Sequence, residues 1–275
     1  PEAIEELKAI YGLDKPLYIQ FFSWIYSILQ LDFGISFTSG EKVKEEILSR
    51  IPITLTINIV SMILIFIISL YFGIKSAMKK NSIFDRFTNQ LSLLSFSMPS
   101  FYLALVLVLV FSIKFELFPI AGLHSVPNDG SLNYYLDFAW HLTLPIFIIV
   151  FGGIGSLILY IRALTIEILK SDYIFFARAR GLDNKKILRY YILPNLYPPV
   201  ITLLGLSLPG IIGGSVILET IFSIDGMGLL FYQSALSHDY PVIMGILIIG
   251  AFLTLIGNMF ADLILLKLNP NYNEK

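Results

Sequence analysis

The chain has 275 residues, of which 56% are hydrophobic and 14% are charged. A soluble domain usually carries about 25% charged residues, so the composition excludes an ordinary soluble globular protein and favours several membrane spans. The net charge of −1 indicates no class of partner, and the absence of cysteine excludes disulfides, thiolate metal sites and a cysteine nucleophile.

The first 52 residues read as a helical region on the membrane surface rather than as a span. We predict an amphipathic helix that stops at Gly12 and a second helix over about 15–30. A further short helix, in SGEKVKEEILSRIP, is predicted to end at Pro52. We therefore expect residues 1–52 to form an external amphipathic region and residues 53–275 to form a transmembrane domain.

Five later stretches are apolar and long enough to cross a bilayer, which takes roughly 20 residues for about 30 Å of hydrocarbon. They lie at about 53–74, 91–113, 142–161, 196–218 and 242–266. Pro99 is predicted to kink the second of these spans. Asn58 and Asn258 lie within spans, where an amide side chain serves either as a hydrogen-bonding partner for another helix, worth about 1 kcal/mol, or as a contact for a solute.

The charges of the loops alternate along the chain. Basic residues outnumber acidic ones in 75–90 and 162–195, whereas 114–141 and 219–241 are dominated by acidic residues. Since basic loops stay inside the cell, we predict that 75–90, 162–195 and the C-terminus are cytoplasmic and that the other loops and the N-terminal region are external.

The loop 162–195 is the most basic part of the chain. It contains seven Lys and Arg residues, namely Arg162, Lys170, Arg178, Arg180, Lys185, Lys186 and Arg189. Ser171 or Asp172 can cap a short helix that Gly181 ends, and Asp183 can cap a second helix that must stop or kink near Pro194. Such a helix–Gly–helix element suits either docking into a groove on another protein or resting on anionic lipid.

Several motifs in this loop and elsewhere carry a resemblance to a known family. ARARGL…I…LPN, with Ala177, Gly181, Ile187, Leu193 and Pro194, resembles the EAA loop of binding-protein-dependent ABC importer permeases. RIPITLTI, SMPSFYLALVLVLVF, FPIAG, ETIFSIDGMG and HDYPVIMGILII are similar to the first permease subunit of the dipeptide/oligopeptide/nickel family. Phe175 or Phe176 replaces the acidic residue that gives the motif its name.

The resemblance implies an all-α polytopic protein with the type I ABC importer transmembrane fold. The family's first span is absent, which agrees with Pro1 in place of a methionine; restoring it would give six spans with both termini inside. The resemblance also implies a bacterial or archaeal cell membrane as the location and a peptide, or nickel or another metal chelate, as the solute.

The implied partners are a second homologous permease, two cytoplasmic ATPases, an external solute-binding protein and membrane lipid, but no nucleic acid. The chain has no G-x-x-x-x-G-K-[ST] phosphate loop, so ATP and magnesium are expected on the partner ATPases, with no cofactor and no enzymatic activity in this chain.

We call residues 172–194 the coupling segment. The resemblance implies that this segment transmits the closure of the ATPases to the membrane spans. Its expected contact residues are Tyr173, Phe176, Ala177, Arg178, Arg180, Gly181, Ile187 and Pro194. Spacing predicts that Tyr173, Phe176, Ala177 and Arg180 share one helix face.

The stretch SIDGMG follows a span on the predicted external side. Its residues Asp225, Gly226 and Gly228 suit a tight turn, either a plain one or one near an external gate, as the resemblance suggests. Glu219, at the end of the preceding span, is interpreted as a second gate residue or as an interfacial charge. The three histidines are scattered without metal-ligand spacing, so no metal site is predicted.

Two other classes of membrane protein compete with the permease interpretation. An ion-coupled secondary transporter is expected to keep charged residues inside its spans, and no predicted span centre has one. A membrane-embedded enzyme needs a catalytic cluster, and neither HExxH nor GxSxG occurs.

Overall fold

The computed structural model describes residues 15–207, 210 and 215–268. Within these ranges the chain is built of helices, and its only β pairing is one isolated bridge between Ile35 and Lys42. The predicted all-α fold class is therefore confirmed. The predicted helix that stops at Gly12 lies outside the described residues.

The helices follow one another with short connections. We number them α1 (Leu17–Leu29), α2 (Val43–Met78), α3 (Ile83–Ser97), α4 (Ser100–Leu107, continued by π-helical turns over Val108–Lys114), α5 (Leu132–Leu169), α6 (Asp172–Ala179), α7 (Asn184–Ile187, continued by π-helical turns over Leu188–Ile192), α8 (Leu193–Ser207), α9 (Val216–Ile221), α10 (Met227–Ser237) and α11 (Tyr240–Leu268).

Three of these helices are long and apolar enough to cross a membrane, namely α2, α5 and the Tyr240–Ile264 part of α11. They confirm the predicted spans at 53–74, 142–161 and 242–266. The predicted span at 196–218 corresponds to α8, Gly210 and the start of α9, and the rest of it lies outside the described residues.

The second predicted span is not a straight helix. α3 and α4 together are apolar enough to cross the membrane, but they meet at an angle of 98°. The break lies at Met98, which is extended at φ −86° and ψ 121°, and at Pro99, which precedes the first turn of α4. A proline ring disfavours the helical conformation of the residue before it, so Pro99 ends α3 and starts α4, as the predicted kink requires.

The prediction that a short helix ends at Pro52 is wrong, because α2 runs through Pro52 as one helix of 36 residues. A proline inside a helix costs about 3 kcal/mol through its missing N–H and its crowded ring. Burial on both sides offsets this cost. Val43 and Ile47 pack with Met227 and Val242 before the proline, and Ile57 packs in a second core cluster after it.

The centre of the molecule is the long contact between α2 and α5, against which α3 also packs. Near its middle, Val150, Ile154 and Ile158 of α5 form a buried cluster with partly buried residues of α2. Small polar residues line the contact of α3 with α5, where the Ser95 hydroxyl donates to the carbonyl of Phe151. Such small residues let helix backbones approach closely inside a membrane.

Candidate functional site

The coupling segment begins with α6, which only two residues separate from the long helix α5. Ser171 precedes α6 without capping it, because its hydroxyl donates back to the Ile168 carbonyl at 2.6 Å. At the other end Gly181 has φ +80°, and the N–H of Leu182 donates to the Ala177 carbonyl at 3.2 Å. Glycine is the residue that adopts this left-handed conformation without strain, so the predicted role of Gly181 in ending the helix is confirmed.

The second helix of the coupling segment does not stop at Pro194. Asp183 caps it as predicted, since its carboxylate accepts from the Lys186 N–H at 3.0 Å. α7, the π-helical turns over Leu188–Ile192 and α8 then follow without a break. The wider π-helical turns come directly before the proline, where a normal turn would bring the ring against the carbonyl four residues earlier.

The two faces of α6 differ sharply in exposure. Ile174 and Ala177, three residues apart, point into the molecule, and Ala177 is only 2% exposed. The side chains of Phe175 and Phe176 are 69% and 63% exposed and meet edge to face. The predicted face shared by Tyr173, Phe176, Ala177 and Arg180 is therefore wrong at Ala177, whose side chain packs inside its own chain and offers no surface to a partner.

Sequence reasoning missed Phe175 as an exposed aromatic residue, although the adjacent pair of phenylalanines on a short helix was the available signal. Tyr173 is half-exposed, and its ring is stacked on that of Tyr191 with centroids 6.2 Å apart. Ile187 is buried with Ile174, Ile192 and other apolar residues, so its role is to hold the segment together rather than to contact a partner.

The coupling segment also carries five basic side chains, namely Arg178, Arg180, Lys185, Lys186 and Arg189. All five are exposed, and none of them forms an ion pair with another described residue. The Arg189 guanidinium lies 5.8 Å from the ring centroid of Tyr190. The exposed surface of the coupling segment is therefore both aromatic and positively charged.

The stretch SIDGMG, which we call the external turn after its predicted side, lies beside a buried polar cluster. Glu219 of α9 is only 3% exposed, so its interpretation as an interfacial charge is wrong. The N–H of Leu229 donates to its Oε2 at 2.9 Å and the Thr54 hydroxyl to its Oε1 at 3.3 Å. Thr54 accepts in turn from the N–H of Met227 at 2.9 Å. The carboxylate thus joins α2, α9 and α10.

The two predicted gate glycines, Gly226 and Gly228, allow the backbone to pass close to Glu219 and to the start of α9. A Cβ at Gly226 would lie 2.6 Å from Glu219 Oε2, and one at Gly228 would lie 2.8 Å from the backbone nitrogen of Val216. Burial raises the pKa of the Glu219 carboxyl, while the N–H groups of Leu229 and Gly228 and the Thr54 hydroxyl lower it in part. Asp225 points elsewhere, and its Oδ1 lies 2.7 Å from Nε of Arg50.

The two predicted pathway residues are not brought together. Asn58 lines a cavity of about 590 Å³ between α2, α5 and α8, whose other polar contributors are Ser61, Ser156, Tyr160 and Ser207. Asn258 is exposed on α11 and does not line this cavity. No group of three or more residues able to hold a metal ion occurs in the described part of the chain.

Comparison with known proteins identifies the family. A family model described as "Binding-protein-dependent transport system inner membrane component" matches residues 69–274, three quarters of the chain. The chain belongs to this family. It is a multi-pass membrane permease of an ABC importer, a component that works with other ABC subunits, and the ion-coupled alternative is set aside.

Three relatives with names show the range of the family. The oligopeptide transport system permease protein AppB of Bacillus subtilis is 37% identical over 261 residues, which cover 94% of this chain and 82% of the relative. The peptidoglycan transport system permease protein YejB of Agrobacterium fabrum is 32% identical, covering 98% and 76%. The metal-staphylopine import system permease protein CntB of Staphylococcus aureus is 31% identical, covering 100% and 84%.

A solved structure shares the fold of the permease. A chain of the MetNI methionine ABC transporter, in inward-facing conformations, superposes with a TM-score of 0.63 over 81% of this chain and 96% of that chain, at 17% sequence identity. The predicted ABC importer transmembrane fold is therefore confirmed.

Proposed function

We propose that this permease forms half of a translocation pathway with a second, homologous permease, that two cytoplasmic ATPases drive it, and that an external binding protein delivers the solute. The observation that carries the proposal is the exposed aromatic and basic surface of the coupling segment. Large exposed apolar side chains that cluster together are characteristic of sites where another protein binds.

The geometry of α6 suits a docking element. Phe175 and Phe176 project from a helix whose opposite face, with Ile174 and Ala177, is buried in its own chain. A force on the two phenylalanines therefore acts on the core cluster beneath α6 rather than on a free loop. The exposed basic side chains favour an acidic surface on the partner and an orientation of docking set by charge.

The solute proposed for this permease is an oligopeptide, as the name of the relative AppB states for that protein. The described cavity is lined by hydroxyl, amide and apolar side chains without a charged residue. Such a lining can pass the amide backbone of a peptide without binding any one charged side chain tightly. Selectivity then resides in the binding protein, and ATP and magnesium reside in the ATPases.

The proposed orientation follows the charges of the loops, which leave the coupling segment and the C-terminus in the cytoplasm of a bacterial or archaeal cell. The coupling segment then faces the compartment that holds ATP. The external turn around Glu219 faces the compartment of the binding protein.

The substitution Phe176→Asp tests the docking surface. It places a charge at the centre of the proposed contact, where burial without a partner is costly. We expect the ATPase no longer to co-purify and transport of a labelled oligopeptide into vesicles to be lost. Ile83→Asp is the matched control, because Ile83 is 87% exposed at the start of α3 on the same predicted side.

Retention of the ATPase and of peptide transport in Phe176→Asp would contradict the proposed docking. If the unmodified complex hydrolyses ATP but transports no oligopeptide, the proposed solute is wrong while the docking proposal stands.

A further inference from the structure

A buried ion pair lies close to the coupling segment and is not part of its exposed surface. Asp85, in the first turn of α3, is only 3% exposed, and Arg162 reaches it from α5. Nε and Nη2 of Arg162 lie 2.7 and 2.9 Å from Oδ1 and Oδ2 of Asp85. This is the two-pronged geometry in which a guanidinium and a carboxylate bind most strongly and with a fixed orientation.

The same carboxylate gathers donors from the neighbouring elements. The hydroxyl of Ser76, near the end of α2, donates to Oδ1. The N–H of Asn81, in the connection between α2 and α3, donates to Oδ2 at 2.8 Å, and the Asn89 amide donates to Oδ1 at 3.0 Å. We call Asp85, Arg162 and Ser76 the cytoplasmic clamp. It fastens α2, α3 and α5 to one another at one point.

The clamp is next to the coupling segment in space as well as in sequence. Arg162 is seven residues before the end of α5, about 10 Å along the helix, and α6 begins three residues after that end. Its neighbour Ile161 is buried in the cluster that also contains Ile74 of α2 and Ile174 of α6. The apolar cluster thus joins α6 to α2 and α5, and the ion pair adds α3.

The far end of α3 reaches the interior of the permease. Ser95, Phe96 and Met98 line a second cavity, of about 390 Å³, together with Asn58 and residues of α5 and α9. A displacement of α6 that is carried by α5 therefore reaches this cavity through α3, provided that α3 moves with α5. Apolar contacts alone allow helices to slide, whereas a two-pronged ion pair fixes their register.

We infer that Asp85 and Arg162 are positioning residues for energy coupling, which make α3 move as one body with α5 and α6. The inference rests on the proposed function, because it takes the ATPases as the source of the displacement. The clamp touches neither the solute cavity nor the exposed surface of α6. Its loss should therefore leave ATPase binding intact and separate ATP hydrolysis from transport.

The first test is functional. In the assembled importer, Asp85→Asn is expected to leave ATPase co-purification and basal ATP hydrolysis unchanged and to lower peptide transport per ATP hydrolysed by about tenfold. Arg162→Lys keeps the charge but loses the two-pronged geometry, and should give an intermediate loss. Asp85→Asn leaves the partly buried Arg162 unpaired. If this single variant does not fold, Asp85→Asn/Arg162→Met, which leaves no charge in the clamp, provides the same test.

The second test measures relative motion, which a purely stabilising ion pair would not affect. The natural chain has no cysteine, so spin labels can be attached at Ile83→Cys on α3 and Lys170→Cys beside α6, both exposed positions. We expect one distance between the labels, unchanged on addition of ATP, in the otherwise unmodified importer. With Asp85→Asn the distance should shift or split when ATP is added.

The inference would be overturned if the clamp variants transported as much peptide per ATP as the unmodified importer. It would also be overturned if the distance between the labels changed with ATP in the importer that carries no clamp substitution. Either result would leave the proposed function standing. If the unmodified permease does not bind an ATPase, the proposed function fails and the inference falls with it.

Discussion

Glu219 illustrates, at the scale of one residue, how an uncharged environment accommodates a carboxylate. Its side chain is buried, yet the N–H of Leu229 and the hydroxyl of Thr54 donate to its two oxygens. A buried donor left without an acceptor costs about 1–3 kcal/mol. The residue therefore contributes as an acceptor that joins α2 to the external turn.

We predict that Glu219→Ala destabilises the permease by about 1–3 kcal/mol for each donor that it leaves unpaired. Glu219→Gln is the matched control, because its amide oxygen can still accept from Leu229 while its NH₂ group faces Thr54. Thermal unfolding in detergent measures both effects. Equal stability of Glu219→Ala and the unmodified protein would contradict the role of the carboxylate as a joint.

The difference in stability between the unmodified protein and Glu219→Gln is predicted to depend on pH. Burial raises the pKa of Glu219 above its ordinary value of 4.5, so the folded protein holds this proton more tightly than the unfolded chain. The protonated group therefore stabilises the fold fully at a pH below the pKa of the unfolded chain. This stabilisation is lost as the pH rises through the raised pKa of the folded protein. The stability of the unmodified protein relative to Glu219→Gln should therefore fall over this range.

At the scale of elements, the coupling segment depends on one backbone conformation. Gly181 has φ +80°, and a Cβ at this position would meet no other atom within 4 Å. A substitution here is therefore opposed by the backbone and not by crowding. This separates the effect of the turn from the effects of packing.

We predict that Gly181→Val costs more than about 1 kcal/mol and weakens recovery of the ATPase with the permease, since a β-branched residue rejects positive φ. Gly181→Asn is the matched control, because asparagine tolerates the left-handed region better than other residues with a side chain. Both variants should still insert into the membrane. Full ATPase recovery with Gly181→Val would show that the sharp turn is dispensable.

Much of the element order could be predicted from the sequence, and the errors have physical causes. The end of α6 and the start of α7 could be predicted from Gly181 and Asp183, because both residues act locally. The predicted end of the helix at Pro52 was wrong, because packing of distant segments offset the local effect of the proline. Near Pro194 the sequence predicted a stop or a kink, and the helix continues there with a change of helix type. The contact of Asp85 with Arg162 spans 77 positions, and nothing in the charge count of a loop indicates such a pairing.

At the scale of the whole molecule, the topology remains a prediction from the loop charges. We expect a cysteine introduced at Lys185, in the exposed part of the coupling segment, to be inaccessible to an impermeant thiol reagent in intact cells. A cysteine introduced at Ser237, at the end of α10, should be labelled. Because the chain has no natural cysteine, each signal comes from one site. Labelling at position 185 in intact cells would invert the proposed orientation.

The long helix α2 makes polar contacts with other helices at two widely separated positions. Thr54, eleven residues after the start of α2, donates to Glu219, and Ser76 donates to Asp85 near the end of the helix. The two hydroxyls are 22 residues apart on one uninterrupted helix, or about 33 Å, which is close to the thickness of the bilayer's hydrocarbon core. α2 thus makes one polar contact to a neighbouring helix toward each predicted face of the membrane. A shift of α2 along its axis would strain both contacts, so the helix links the state of one contact to that of the other.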